Sequence, residues 1–176
     1  MKRKYLWIWI PVLILIDQLT KYWAQSWLSV NGPVELIPGV FELHFLTNRG
    51  SAWGMLEGQF GLFYVLTGIA LILFVYVLLR IPEEKKYRKL QIITVFLISG
   101  ALGNLIDRVI HQYVVDFLYI SLIDFPIFNV ADMYVTIPVV FLMLFVLTTY
   151  KDDEFAFLSL KKSSKDVEEE GANHDL

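Results

Sequence analysis

Four stretches of this chain are apolar almost throughout: roughly Tyr5 to Leu28, Phe60 to Leu79, Leu90 to Asp107 and Ile127 to Tyr150. At a rise of about 1.5 Å per residue, each is long enough to cross about 30 Å of hydrocarbon as a helix. The segments between them follow other rules. "VNGP" (Val30 to Pro33) is a turn signal, and "VFELHFL" (Val40 to Leu46) alternates Phe41, Leu43 and Phe45 with Glu42 and His44, the period of a half-buried strand. "TNRGSAWGM" (Thr47 to Met55) sets Gly50 and Gly54 among small residues and reads as a tight loop. His111 to Pro126 is richer in Val, Phe, Tyr and Ile than a solvated loop and is expected to lie on the bilayer. The pattern predicts a mainly α, polytopic membrane protein with four transmembrane helices and a small β-rich surface element near residues 30–50.

Composition agrees, and charge orients the helices. The 176 residues are 56% hydrophobic with a mean hydropathy of +0.55, too apolar for an ordinary soluble domain. Lys and Arg accumulate at the cytoplasmic ends of membrane helices. Lys2, Arg3 and Lys4 precede the first run, five basic residues fall between Arg80 and Lys89, and Lys151 follows the last run. Of the fifteen Lys and Arg residues, only Lys21, Arg49 and Arg108 fall on the opposite side. Both termini are therefore expected in the cytoplasm and the strand loop outside it.

Residues 1–150 form the expected membrane domain. Residues 151–176 hold most of the acidic excess behind a net charge of -3, end in "KKSSKDVEEEGANHDL", and read as a solvated, disordered tail. The N-terminus imitates a secretory signal, but its apolar pattern continues past Asp17 and Lys21 through "YWAQSWL", so a retained first helix is expected. With no Cys in the chain, a thiolate nucleophile, a disulfide and a Cys metal site are excluded.

Polar side chains inside membrane helices are costly and mark function by default. Asp17 and Lys21 are four residues apart, Asn104 lies three before Asp107 and four before Arg108, and Asn129 lies three before Asp132. Each spacing puts its residues on one helical face. Counted from the helix ends, all of them fall in the outer third of the bilayer, Asp17 roughly 18 Å from the cytoplasmic start of its run. Gly100 and Gly103 would let another helix or a ligand approach the third run closely.

Blander roles compete. Asp17 with Lys21, and Asp107 with Arg108, can be local ion pairs; His44 and His111 read as surface residues; Trp23, Trp27 and Tyr150 fit an interfacial belt. Asp116 in "YVVDFLY" and Asp132 in "FNVADMY" resist such readings, because each is a lone carboxylate in an apolar stretch without a neighbouring cation in sequence. Two carboxylates at close range can share one proton and act as base and acid on a single water, the chemistry of aspartic peptidases. Spacing alone leaves open which two of Asp17, Asp107, Asp116, Asp124 and Asp132 form the pair.

The ordered set "DQLTK" (Asp17 to Lys21), "NRGSAWG" (Asn48 to Gly54), "GALGNLIDR" (Gly100 to Arg108), "VVDF" (Val114 to Phe117) and "FNVAD" (Phe128 to Asp132) resembles the lipoprotein signal peptidase family, signal peptidase II. The resemblance implies an intramembrane aspartyl endopeptidase of the bacterial cytoplasmic membrane. Such an enzyme removes signal peptides from diacylglyceryl-modified prolipoproteins just before the lipidated Cys.

It further implies a catalytic dyad of Asp116 and Asp132, and substrate-site positions at Asn48, Asn104, Arg108 and Asn129. Asp17 and Lys21 become a supporting polar pair, and the outer strands become a surface sheet beside the substrate. No metal or cofactor is implied, nor a nucleic-acid partner; the expected form is a monomer among membrane lipids.

Three positions depart from the family's usual residues: Met133 in place of Ser, Pro138 in place of Gly, and Ser51 in place of Ala. Two rival readings use the same polar residues differently. A small channel or transporter needs polar side chains through the whole membrane depth, and a lipid-headgroup enzyme needs several carboxylates converging on Mg²⁺.

Overall fold

The structure, a computed structural model, describes residues 3–50 and 60–148. The expected tail at 151–176, the Ser51 position and the second half of "NRGSAWG" lie outside the described residues.

Helix α1 (Arg3–Trp23) continues through a π-helical turn (Ala24–Leu28) and a last turn (Ser29–Asn31), ending at Gly32 with φ 82°. A hairpin follows, β1 (Val34–Ile37) and β2 (Phe41–Asn48), turned by Gly39 with φ 68°. Both glycines occupy a left-handed backbone region that a side chain rarely enters. Next come α2 (Phe60–Arg80) and α3 (Arg88–His111), joined by a 3₁₀ turn (Lys85–Tyr87). Gln112, left-handed at φ 61°, ends α3 and sends the chain into β3 (Val114–Tyr119). Helix α4 (Val130–Thr148) completes the described chain.

Among the described residues, three segments are long and apolar enough to cross a membrane: Gly61–Arg80, Lys85–His111 and Val130–Thr148. Helix α1 differs because Asp17, Gln18 and Lys21 interrupt it. Its buried residues nevertheless form one stripe at spacings of three and four: Leu6, Ile10, Leu13, Asp17, Lys21, Ala24 and Leu28. Two polar residues have replaced apolar ones in the middle of a packing seam.

Helix α3 is central, touching α1, α2 and α4. Its glycines set the closest approach. A methyl group on Gly100 would stand 2.5 Å from the Ala131 carbonyl oxygen, and one on Gly103 would stand 2.6 Å from Asp17 Oδ2. The close approach expected at these glycines is made by the first turn of α4 and by α1.

The sheet has the order β1-β2-β3, antiparallel throughout. Its third strand comes from the segment expected to lie on the bilayer. Val115 and Phe117 pack with Ala24 and Leu28 into one small core, while Leu6, Ile10, Leu13, Leu78, Val95 and Ile98 form another at the far end of the bundle. The polar residues lie between the two.

Candidate active site

Asp116 and Asp132 are brought together by a backbone splice. The N–H groups of Phe117 and Leu118 both donate to the Phe128 carbonyl, at 2.9 and 2.8 Å, and Phe128 N–H returns a bond to Leu118 O at 2.9 Å. Phe128, two residues before α4, is thereby tied to the strand carrying Asp116.

Asn129 joins the two carboxylates. As N-cap of α4, its Oδ1 accepts the N–H of Asp132 at 3.0 Å, while Asp132 Oδ2 accepts the N–H of Asn129 at 3.0 Å. This is a capping box, two otherwise unsatisfied donors met reciprocally. The Asn129 amide then donates to Asp116 Oδ1 at 2.6 Å and to Asn104 Oδ1 at 3.1 Å. Asn104 in turn donates to Asp132 Oδ1 at 2.7 Å. On the other side, Asn48 donates to Asp116 Oδ2 at 2.8 Å, its amide turned by the Gly50 N–H, which bonds Asn48 Oδ1 at 2.9 Å.

Asp116 is only 1% exposed. Burial, added to the negative charge of Asp132, pushes its carboxyl up to about 7 against the hydrogen bonds from Asn48 and Asn129.

Behind this pair sits a second polar group, all but sealed from solvent. Lys21 Nζ lies 2.9 Å from Asp17 Oδ2, 3.1 Å from Asp107 Oδ2 and 2.9 Å from Asn104 Oδ1. Its three donors thus each have an acceptor. The Asp17 and Lys21 pairing expected from their spacing is present; the Asp107 and Arg108 pairing is not. Adjacent helical residues point about 100° apart, so Asp107 turns inward to Lys21 while Arg108 turns toward the cavity. Gln18, which sequence reasoning missed, donates to Asp107 Oδ1 at 2.9 Å and to Asp17 Oδ2 at 3.2 Å. Its position beside Asp17 and three before Lys21 was the available signal.

A cavity of about 560 Å³ opens over the pair, lined by the polar Asn48, Arg108, Asp116 and Asp132 and by apolar residues that include Phe125 and Ile127. Arg108 is loosely held, donating at 3.4 Å to the Asn104 carbonyl and at 3.4 Å to the Gly50 carbonyl, with its guanidinium 4.6 Å from the Phe63 ring centre. Among the described residues these are the two hydrogen bonds of its side chain, against five N–H donors. Met133 and Ile137 line this cavity and also an apolar groove between α3 and α4.

Asp124 stands apart, exposed and bonded by the Tyr119 hydroxyl at 2.7 Å. His44 pairs with Glu42 at 2.7 Å on the sheet. Among the described residues, no group of three His, Asp or Glu side chains is arranged to hold a metal ion. What the cavity offers is two carboxylates, one raised toward neutrality, beside amide and guanidinium donors.

The pattern of the Signal peptidase (SPase) II family matches residues 9–148. The lipoprotein signal peptidase of Streptococcus thermophilus strain CNRZ 1066 is 41% identical over 139 residues, 77% of this chain and 90% of that protein. That of Streptococcus pyogenes serotype M5 strain Manfredo is 33% identical over 155 residues, 88% of this chain and 99% of that one. Among solved structures, a bacterial membrane enzyme determined by the in meso method at 2.3 Å resolution superposes with a TM-score of 0.72 at 31% identity, covering 92% of this chain and 95% of its own. A second, at 1.9 Å resolution, gives 0.71 at 33% identity, covering 84% and 95%. With capped, paired Asp residues and this match along nearly the whole membrane region, the chain belongs to the signal peptidase II family.

Proposed function

We propose that Asp116 and Asp132 are the catalytic dyad with which this peptidase removes signal peptides from prolipoproteins, cutting before the diacylglyceryl-modified Cys. The observation that carries the reading is their bridging by the single residue Asn129 at the wall of one cavity. Asp116, raised toward neutrality, holds the shared proton; Asp132 is the base. As Asp132 takes a proton from water, the oxygen attacks the scissile carbonyl carbon and Asp116 protonates the carbonyl oxygen. Collapse of the tetrahedral diol, with proton return to the nitrogen, breaks the C–N bond and releases the amine of the lipidated Cys. Arg108 binds substrate carbonyl or lipid oxygens, Asn48, Asn104 and Asn129 hold the dyad, and Asp17 and Lys21 support it.

The same reading makes α1 to α4 four membrane spans, with both termini cytoplasmic and the site near the outer surface of a bacterial cytoplasmic membrane. Burial of Asp17 and Lys21 against α3 supports a spanning α1, since the outward residues of this helix include Ile8, Leu15 and Leu19. Residues 1–150 are the catalytic unit, 151–176 a cytoplasmic tail, and the working form a monomer surrounded by lipid. Reporters fused at Glu84 and Asn31 then read cytoplasmic and external.

The test is incubation of purified protein with a diacylglyceryl-modified prolipoprotein and its non-lipidated counterpart. The reading expects a product beginning at the lipidated Cys from the first and none from the second. Equal cleavage of both would remove the lipid requirement.

A further inference from the structure

We propose that Asp17, Lys21 and Asp107 form a clamp that fixes the spacing between the two dyad carboxylates. The proposal rests on the dyad reading above and assigns positioning residues to it. Asp17 Oδ1 accepts the N–H of Ala131 at 2.9 Å, and Asp107 Oδ2 accepts the N–H of Val115 at 3.1 Å. These are the residues immediately before Asp132 and Asp116.

Lys21 then draws the two holding carboxylates together, bonding Asp17 at 2.9 Å and Asp107 at 3.1 Å. Gln18 bonds the same two, at 3.2 and 2.9 Å. The third Lys21 bond fixes Asn104 Oδ1, which turns the Asn104 amide donor onto Asp132.

One ammonium therefore connects the backbone on both sides of the dyad. Ala131 is in the first turn of α4, where N–H groups have no acceptor within the helix, so its partner sets where that turn sits. Neither Asp17, Lys21 nor Asp107 lines the cavity. With relative exposures of 0, 3 and 3% they are out of a substrate's reach. They act through position, and misplacement by about 1 Å can cost about 10²-fold in rate.

The test uses the full chain with a diacylglyceryl-modified prolipoprotein, and reads kcat, KM and amide hydrogen exchange. Lys21→Met keeps the stem and removes the charge. Expected are a kcat lower by about 10²-fold, a KM within about twofold, and faster exchange at both Val115 and Ala131. An unchanged kcat, a raised KM at full kcat, or faster exchange at only one of the two amides would overturn the clamp.

Should Lys21→Met fail to fold, Asp17→Asn and Asp107→Asn are milder, each keeping an oxygen for its N–H. For one connected unit, the double variant loses little more kcat than the worse single; losses that multiply would contradict it. A dead Asp132→Asn enzyme beside a fully active Lys21→Met enzyme refutes the clamp alone, whereas an active Asp132→Asn enzyme refutes the dyad.

Discussion

Asp116 and Asp132 face one cavity, yet the chain holds them by opposite means. Asp116 sits mid-strand, almost wholly buried, with a side-chain amide on each oxygen. Asp132 sits in the first turn of a helix, half-buried, with one oxygen on a backbone N–H and the other on Asn104. Similar hydrogen-bond supply with unequal burial separates the two groups chemically. Desolvation penalises charge on Asp116 and raises its carboxyl, while Asp132 keeps its place through the capping box and Asn104. Two identical side chains can thus enter one reaction as acid and base.

The sharpest way to break the comparison is to remove one proton site at a time. Asp116→Asn and Asp132→Asn each keep shape and lose proton transfer, so cleavage should fall by about 10³-fold or more, with the helical circular dichroism retained. Asp124→Asn, outside the cavity, should retain wild-type turnover in the same assay. Substantial turnover by either dyad variant would take that residue out of the chemistry.

The helix side also depends on close packing at two glycines of α3. Gly100→Ala drives a methyl into the Ala131 carbonyl, and Gly103→Ala drives one into Asp17. Overpacking of this kind costs about 1–3 kcal/mol and shifts the first turn of α4. A Gly100→Ala loss of about 10²-fold in kcat is expected from displacement of Asp132. Gly61→Ala and Gly68→Ala on α2, where a methyl meets nothing within 4 Å, should leave kcat unchanged.

A smaller effect separates substrate binding from proton transfer. Arg108→Lys keeps the charge and loses the planar fork. It should cost about tenfold in kcat/KM, about 1.4 kcal/mol, because water, acid and base all remain. Full activity with the lipidated substrate would end the binding role given to the guanidinium.

Much of this was legible in the sequence, and the remainder was hidden for identifiable reasons. The second and third apolar runs match α2 and α3 to within a few residues, because uninterrupted apolar length is an unambiguous signal. Strand β3 was not read, since Val114 to Phe117 are buried on both faces and show no alternation. The Asp107 and Arg108 pairing failed because neighbours in a helix do not face each other. The Asn129-x-x-Asp132 spacing was read as a polar pair, although it is also the signature of a capping box. That Asn129 reaches Asp116 as well is a tertiary fact which no local spacing encodes.

The central claim is that the two carboxylates share one proton, and the pH dependence of kcat/KM with the lipidated substrate tests it most directly. The carboxyl of Asp116 is raised to about 7, so at higher pH it loses its proton and no acid remains for the carbonyl oxygen. Activity should therefore decline above about pH 7. Asn48 donates to Asp116 and so favours its ionised form. Asn48→Leu should let the proton persist longer and move the decline to higher pH. A rate that stays level or climbs from pH 7 to about 9, with the Asn48→Leu profile unmoved, would contradict a shared proton at Asp116.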